Sequence, residues 1–224
     1  MKIKVIIPAS GKGSRFGGDI PKQFQLLKGE PILKHTISVF QNLDFVNEII
    51  IAADFCYTNH ITGYNFSKVT QIIQGGETRA ESVYAALKAV QSADIVLIHD
   101  AARPFVTPET VKAVAEAAKK YSAAIACTQV TDTIKEANHE NKIIATPNRT
   151  NLWQAQTPQG FNYSLITEAY TKGAKDGILN QVTDDSTLVE RLGKDVYIVP
   201  SPKNNIKITT AEDMVIAKVL ANLV

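Results

Sequence analysis

A doubly wound, mostly parallel α/β sheet is the fold class that this sequence predicts, on three observations. Short β-branched runs alternate with helical patterns along the chain, and the helix-start signals fall just after such runs. The runs are also continuously apolar instead of alternating, as strands covered by helices on both faces must be. The strand-like runs are Lys4 to Pro8, Glu48 to Ala52, Val69 to Gln74, Ile95 to His99, Ala124 to Val130 and Val196 to Pro200. The first helix is expected over Ile32 to Phe40, whose apolar residues return at helical spacing. Thr78 with Glu81 forms a capping box before Val83, Ala86, Leu87 and Val90, and Thr107 with Pro108 opens the stretch to Lys120. Ser164 to Lys172, Asp184 to Leu192 and Ala211 to Leu223 complete the helices, the last capped by Thr210 and Asp213, after an extended piece from Asn205 to Thr209.

The alternation breaks between about Asp132 and Phe161. There Asp132 to Glu136 and Lys142 to Thr146 flank the polar turn Asn138-His139-Glu140-Asn141 and read as a protruding hairpin arm over about 132–161. A two-stranded arm is marginal alone, so it should pack on something, and a second subunit is the economical choice.

Composition excludes several classes. The 224 residues are 45% hydrophobic and 21% charged, with 12 Gly and 9 Pro, which rules out collagen, coiled coil and disordered tail. Length suggests a single domain with an excursion. Lys+Arg 24 against Asp+Glu 22 gives a net charge of +2, too small a field to hold nucleic acid or an anionic membrane, so any anion site is local. Cys56 and Cys127 stand far apart without metal-spaced partners, which suits a reducing cytoplasm. Val5-Ile6-Ile7 is too short for a signal sequence, and no stretch approaches the roughly 20 apolar residues of a membrane span.

The first strand-to-helix connection, Ala9 to Lys22, carries glycines at 11, 13, 17 and 18. In open α/β sheets ligands bind beyond the carboxyl ends of the strands, and glycines let backbone N–H groups approach phosphates. The Walker pattern is absent, and the dinucleotide pattern fails because Phe16 stands where its third glycine belongs, which argues against NAD. Over residues 1–28 Lys2, Lys4, Lys12, Arg15, Lys22 and Lys28 face the single acid Asp19, a density that suits a triphosphate under attack. For Arg15 and Lys22 themselves, the loop alone admits both phosphate binding and plain solvated charge.

Asp100 follows the apolar strand Ile95 to Ile98 and is read either as an oxygen ligand for a magnesium bridging phosphates or as a cap and partner of Arg103. His99 is read as orienting the loop, since a phosphate nucleophile needs no base. Asn148-Arg149-Thr150, Gln154 to Gln159 and Asn204 to Thr209 bring a cation, hydroxyls and amides into strand-like segments. Taken singly, each is read as edge-strand polarity.

Together these segments closely resemble the 2-C-methyl-D-erythritol 4-phosphate cytidylyltransferases of the non-mevalonate isoprenoid pathway, almost end to end. The stretches are IPASGKGSRFGGDIPKQF at 7 to 24, GEPILKHT at 29 to 36, GGETRAESV at 75 to 83, HDAARPF at 99 to 105, VTDTIK at 130 to 135, LWQAQTPQGF at 152 to 161, TDD at 183 to 185 and NNIKITTAED at 204 to 213. The resemblance implies a magnesium-dependent reaction of CTP with methylerythritol phosphate, giving a CDP-alcohol and pyrophosphate. It makes Arg15 and Lys22 the residues that stabilise charge on the α-phosphoryl group, and Lys207 and Arg149 the pair that grips the acceptor phosphate. CTP binding would fall to Ala9, Ser10, Gly11, Gly13, Gly75, Gly76, Glu77, Ser82 and Ala101. Acceptor binding would fall to Thr133, Thr157 and Arg103, and metal binding to Asp100. The chain has Ser10 where the family often has Ala, and Glu77 where it often has Asp. The arm would exchange with a second subunit, so that Thr133 and Arg149 complete the neighbour's site in a homodimer. Asn204 and Asn205 supply no second carboxylate for a metal.

Ribitol 5-phosphate cytidylyltransferase is the nearest rival, and HDAARP, VTDTIK and LWQAQTPQ favour the methylerythritol substrate. A nucleotide-sugar glycosyltransferase would want a DxD motif, which Asp100-Ala101-Ala102 does not supply. A non-catalytic nucleotide sensor would have no use for Arg15, Lys22, Arg149 and Lys207 together.

Overall fold

A computed structural model of the chain describes residues 1–11, 16 and 20–223. The elements run β1 Ile3–Pro8, a 3-10 turn Lys22–Phe24, β2 Leu26–Leu27, β3 Glu30–Pro31, α1 Ile32–Gln41, β4 Glu48–Ala53, α2 Thr58–Thr62, β5 Val69–Gln74, α3 Arg79–Ala89, β6 Ile95–Ile98, α4 Pro108–Tyr121 and β7 Ala123–Gln129. They continue with β8 Glu136–Ala137, β9 Ile143–Ala145, a 3-10 turn Arg149–Asn151, β10 Trp153–Asn162, α5 Tyr163–Lys175, α6 Ser186–Glu190, β11 Tyr197–Pro200 and α7 Ala211–Leu220.

The central seven-stranded sheet has the order β11-β7-β10-β6-β1-β4-β5. Its pairs are parallel except those of β10, which runs antiparallel to both β6 and β7. Successive β1 residues feed opposite layers, as a strand's period of two requires. Val5 and Ile7 join Leu33, Ile37, Val111 and Val114 on the face covered by α1 and α4. Ile6 joins Val83, Leu87, Phe161 and Tyr170 on the face covered by α3 and α5.

The capping expectations hold. Thr78 accepts from the Glu81 N–H at 3.2 Å while Glu81 accepts from the Thr78 N–H at 2.9 Å, so α3 starts immediately after the β5 loop. Thr107 caps α4 ahead of Pro108, and Thr210 with Asp213 caps α7. Caps of this kind contribute about 1 kcal/mol each, and here they also fix where helices leave the sheet's functional edge.

Three expectations are corrected. The arm does not extend over 132–161: only β8 and β9 pair, and Trp153 to Asn162 belong to the main sheet. The polar segment Gln154 to Gln159 therefore lies on no edge, because β10 sits between β6 and β7. Its ladder is interrupted between Ala155 and Gln159, where Ala155 faces Cys127 and Gln159 faces Ile125. This bulge is why Pro158 is tolerated in a central strand, and beside it Thr157 meets His99 and Asp100 at the end of β6 while Gln156 meets Asn205. Finally, Asn205 to Thr209 forms no strand.

Candidate active site

The site lies at the carboxyl ends of β1, β5 and β6. Gln23, 3% exposed, donates its amide N–H to the carbonyls of Ala9 and Gly11, which ties the Lys22–Phe24 turn to the end of β1. Lys22 thereby lines a cavity together with Ala9, Ser10, Gly11, Ala101 and Lys207. Gly13 and Arg15 lie outside the described residues. The expected cation density is partly redistributed. Lys2 and Lys4 sit at the opposite, amino-terminal end of β1 and pair with Glu48 at 3.3 and 2.7 Å, so neither serves a phosphate here.

Opposite this floor stands the turn after β5. A Cβ on Gly75 would come within 2.5 Å of the Ser10 Cβ, so glycine is what lets the two loops touch. The Ser82 hydroxyl, wholly buried, lies 2.6 Å from the Ser10 hydroxyl, accepts the Gly76 N–H at 3.1 Å and donates to the Thr78 carbonyl at 2.8 Å. Ser82 thus joins the two loops from beneath and does not line the cavity. Glu77 is exposed, and it too lies outside the lining of this cavity.

Asp100 is the electrostatic centre. Its Oδ1 accepts from Arg79 Nε at 2.7 Å, and its Oδ2 from Lys207 Nζ at 2.9 Å and Arg103 Nε at 3.3 Å. Burial alone would push its carboxyl up, but Arg79, Lys207 and Arg103 outweigh burial and hold it well below the usual carboxylate range. Arg79 carries its terminal nitrogens to Asp185 as a fork, at 3.0 and 2.7 Å. Asp185 is fully buried and also accepts from the Tyr170 hydroxyl, while its own N–H and that of Ser186 donate to Gln159 Oε1.

Beside Asp100, the buried His99 ring is 4.9 Å from Phe40 in edge-to-face contact. Its Nε2 faces the Arg103 carbonyl at 3.0 Å and must donate, so Nδ1 is an acceptor that takes the Thr157 hydroxyl at 3.0 Å. Burial pushes the imidazole down to about 4, so it is neutral and orients the loop as the sequence suggested. The Thr157 hydroxyl in turn accepts the Asp100 N–H at 3.1 Å. That hydroxyl was expected to meet the acceptor; here its one proton goes to His99 and one of its lone pairs takes the Asp100 N–H, and Thr157 lies outside the lining of this cavity and of the second one beside it.

A second cavity of about 430 Å³ opens alongside, between the ends of β7 and β10 and the 203–207 segment. Arg103 and Lys203 line it, and Lys207 lines both cavities. Arg103 also donates to the Asn205 carbonyl at 2.7 Å, while the Asn205 amide N–H donates to the Thr157 carbonyl at 2.9 Å. Thr133 and Arg149, expected at the acceptor, line neither cavity, and Arg149 instead donates to the Thr131 carbonyl at 2.7 Å. The structure does not bring Arg149 onto Lys207 within one chain.

For magnesium, the donor set offers one carboxylate. No group of three His, Cys, Asp or Glu suited to a metal occurs among the described residues. A carboxylate has about four lone-pair directions, and three cations use those of Asp100, which leaves room for one metal bond completed by phosphate oxygens and water. Arg79, Asp185, Gln23 and Gln159 received no role in the sequence reading. Each lies within or beside a quoted motif, which was the available signal, but nothing local says which of those charges face each other.

An open α/β sheet in which Ala9 to Gly11 and Lys22, at the two ends of the first loop, line a cavity with Arg79 and Lys207, and in which a second cavity shares that Lys207, belongs to a nucleotidyltransferase. Residues 3–222 match the family model described as IspD, 2-C-methyl-D-erythritol 4-phosphate cytidylyltransferase, and the chain belongs to that family. It is 46% identical over 224 residues to the 2-C-methyl-D-erythritol 4-phosphate cytidylyltransferase of Alkaliphilus oremlandii, covering 97% of this chain and 94% of that one. Its fold is similar to the crystal structure of 4-diphosphocytidyl-2C-methyl-D-erythritol synthase from Anaerococcus prevotii, with TM-score 0.88 and 29% identity over 99% of this chain and 96% of that chain. The corresponding cytidylyltransferase of Thermus thermophilus gives TM-score 0.83 and 32% identity over 99% and 100% of the two chains.

Proposed function

We propose that this chain transfers the cytidylyl group of CTP to 2-C-methyl-D-erythritol 4-phosphate. An oxygen of the acceptor phosphate attacks the α-phosphorus, the bond from that phosphorus to the bridging oxygen breaks, and pyrophosphate leaves with the electron pair. The single observation that carries this reading is Lys207, whose ammonium lies in the wall between the two cavities and is held there by Asp100 at 2.9 Å. A cation at that point faces the incoming phosphate and the α-phosphoryl group at once.

The cavity beside Ala9, Ser10, Gly11 and Ala101 would take CTP, and the one lined by Arg103 would take the acceptor. Lys22, with Arg15, would stabilise the charge that builds on the α-phosphoryl oxygens, since such transfer is mainly positioning and electrostatics. Ser82 and Thr157 serve by holding the loops on which Ser10, Gly76 and Asp100 stand. Asp100 would contribute one bond to magnesium, which when bound neutralises phosphate charge. Thr133, exposed ahead of β8, and Arg149, exposed in the turn that follows β9, would reach the acceptor site of a second copy, making the working form a homodimer. The two free cysteines suit a cytoplasmic setting. No helix among the described residues is long and apolar enough to cross a membrane.

The test is pyrophosphate release with mass-spectrometric product identification, from CTP and magnesium with methylerythritol phosphate or ribitol 5-phosphate in parallel, and ATP, GTP and UTP as controls. A CDP-methylerythritol product that requires CTP supports the reading. Turnover with ribitol phosphate alone moves the acceptor assignment and keeps the cation roles.

A further inference from the structure

We propose that Asp185 is a positioning residue for the reaction, acting through Arg79 to keep Lys207 on Asp100. This rests on the cytidylyl-transfer reading only for its kinetic arm. Asp185 takes both terminal nitrogens of Arg79, at 3.0 and 2.7 Å, and so leaves only Nε for Asp100, at 2.7 Å on Oδ1. The other oxygen of Asp100 stays available to Lys207 at 2.9 Å and Arg103 at 3.3 Å.

The arrangement is anchored from below. Asp185 is 0% exposed, and its loop is fixed by Tyr170 and by Gln159, which stands on the central strand β10. Arg79 is only one-quarter exposed and faces the nucleotide cavity. Without the Asp185 charge its fork loses the carboxylate that holds it, and Asp100 is the carboxylate already bonded to its Nε. A guanidinium that takes a carboxylate with two nitrogens outcompetes a single ammonium, because its planar fork satisfies both oxygens at once. Lys207 is then the group displaced. Asp185 touches neither cavity, so its effect on chemistry passes through the pair it sets.

The variants are Asp185→Asn, Arg79→Met and the double substitution. Gly173→Ala serves as a packing control, because its Cβ would meet Leu188 Cδ2 at 2.7 Å beneath α6 without touching the ion network. Kinetics are taken per folded molecule, with folded fraction from circular dichroism. Asp185→Asn is expected to lower kcat 10- to 100-fold and raise the acceptor KM about tenfold, with the CTP KM within twofold. In the Arg79→Met background it should add less than threefold, since its route is then already cut. Gly173→Ala should lower the melting temperature and leave the per-molecule kinetics within twofold. Asp185→Asn kinetics indistinguishable from those of Gly173→Ala would overturn the proposal. A crystal structure of Asp185→Asn gives a readout independent of substrate: Lys207 Nζ beyond 4 Å from Asp100 supports it, and an undisturbed pair overturns it. Failure of the unmodified enzyme to turn over methylerythritol phosphate would count against the proposed acceptor and leave that crystallographic arm to decide.

Discussion

The strand-end site and the hairpin arm are built on opposite principles. At the site Asp100, Asp185, His99, Gln23 and Thr157 are all buried, and each polar group answers another across the sheet. On the arm Ile143 and Ile144 are 57% and 58% exposed, and β8 and β9 share a few backbone bonds around a turn that Asn138 Oδ1 secures by accepting from Glu140 and Lys142. The hydrogen bonds of the first region close within one chain, whereas the second leaves apolar surface in water and is followed by an exposed cation, Arg149, that lines neither cavity of its own chain. A buried network tolerates no lost partner, while an exposed ribbon tolerates most changes until something docks on it.

The largest expected effect tests the site side. Lys22→Ala should lower kcat by roughly 10³, about 4 kcal/mol of transition-state stabilisation, by analogy with cation losses in phosphoryl transfer. A loss below tenfold in pyrophosphate release would remove Lys22 from the reacting centre.

Next comes the dependence on pH. His99 is pushed down from its ordinary 6.5 to about 4 by burial, so the unfolded chain binds the proton first as acid is added. Its contribution is fully present above 6.5 and is lost as pH falls toward 4, about 3 kcal/mol in all. Denaturant titrations at pH 7 and pH 4.5 should show that loss in the parent protein and a flatter dependence in His99→Gln. Equal slopes would mean the imidazole is not held neutral.

Packing beneath the site gives a smaller effect. At Gly160 on β10, a Cβ would meet Val114 Cγ1 at 2.9 Å and Leu97 Cδ2 at 3.0 Å, so Gly160→Ala should cost about 1–3 kcal/mol by overpacking. An unchanged denaturation midpoint would show that α4 can move aside.

The smallest effect on folding is expected on the arm. Ile144→Ser should change protomer stability by less than about 0.5 kcal/mol, because the side chain is already mostly in water. Sedimentation should nevertheless report weaker self-association. Unchanged association would remove the arm from the proposed dimer and erase the contrast between the regions.

Much of the fold was legible because its signals are local. A continuous apolar run, a Thr with Glu three residues on, or a Pro after a Thr acts within one turn of chain, and the six strands and the caps expected on such signals fell within a few residues of their bounds, while β10, a polar run with no such signal, did not show itself. The glycine-rich loop and Asp100 were legible as a ligand crevice for the same reason. The sequence could not say that Lys4 points to Glu48 while Lys207 points to Asp100, since a lysine's partner depends on which strand lies beside it.

By itself, then, the sequence determined six of the seven strands of the main sheet, the longer helices and where several of them begin, and which loops stand at the carboxyl ends of the first strands. Only the tertiary structure decided that β10 enters the middle of the sheet antiparallel, that its bulge commits Thr157 to Asp100, and that Arg79 is shared between Asp100 and Asp185. Backbone preferences are settled by neighbours a few residues away, but the pairing of buried charges is settled by which segments the sheet order brings within hydrogen-bonding distance.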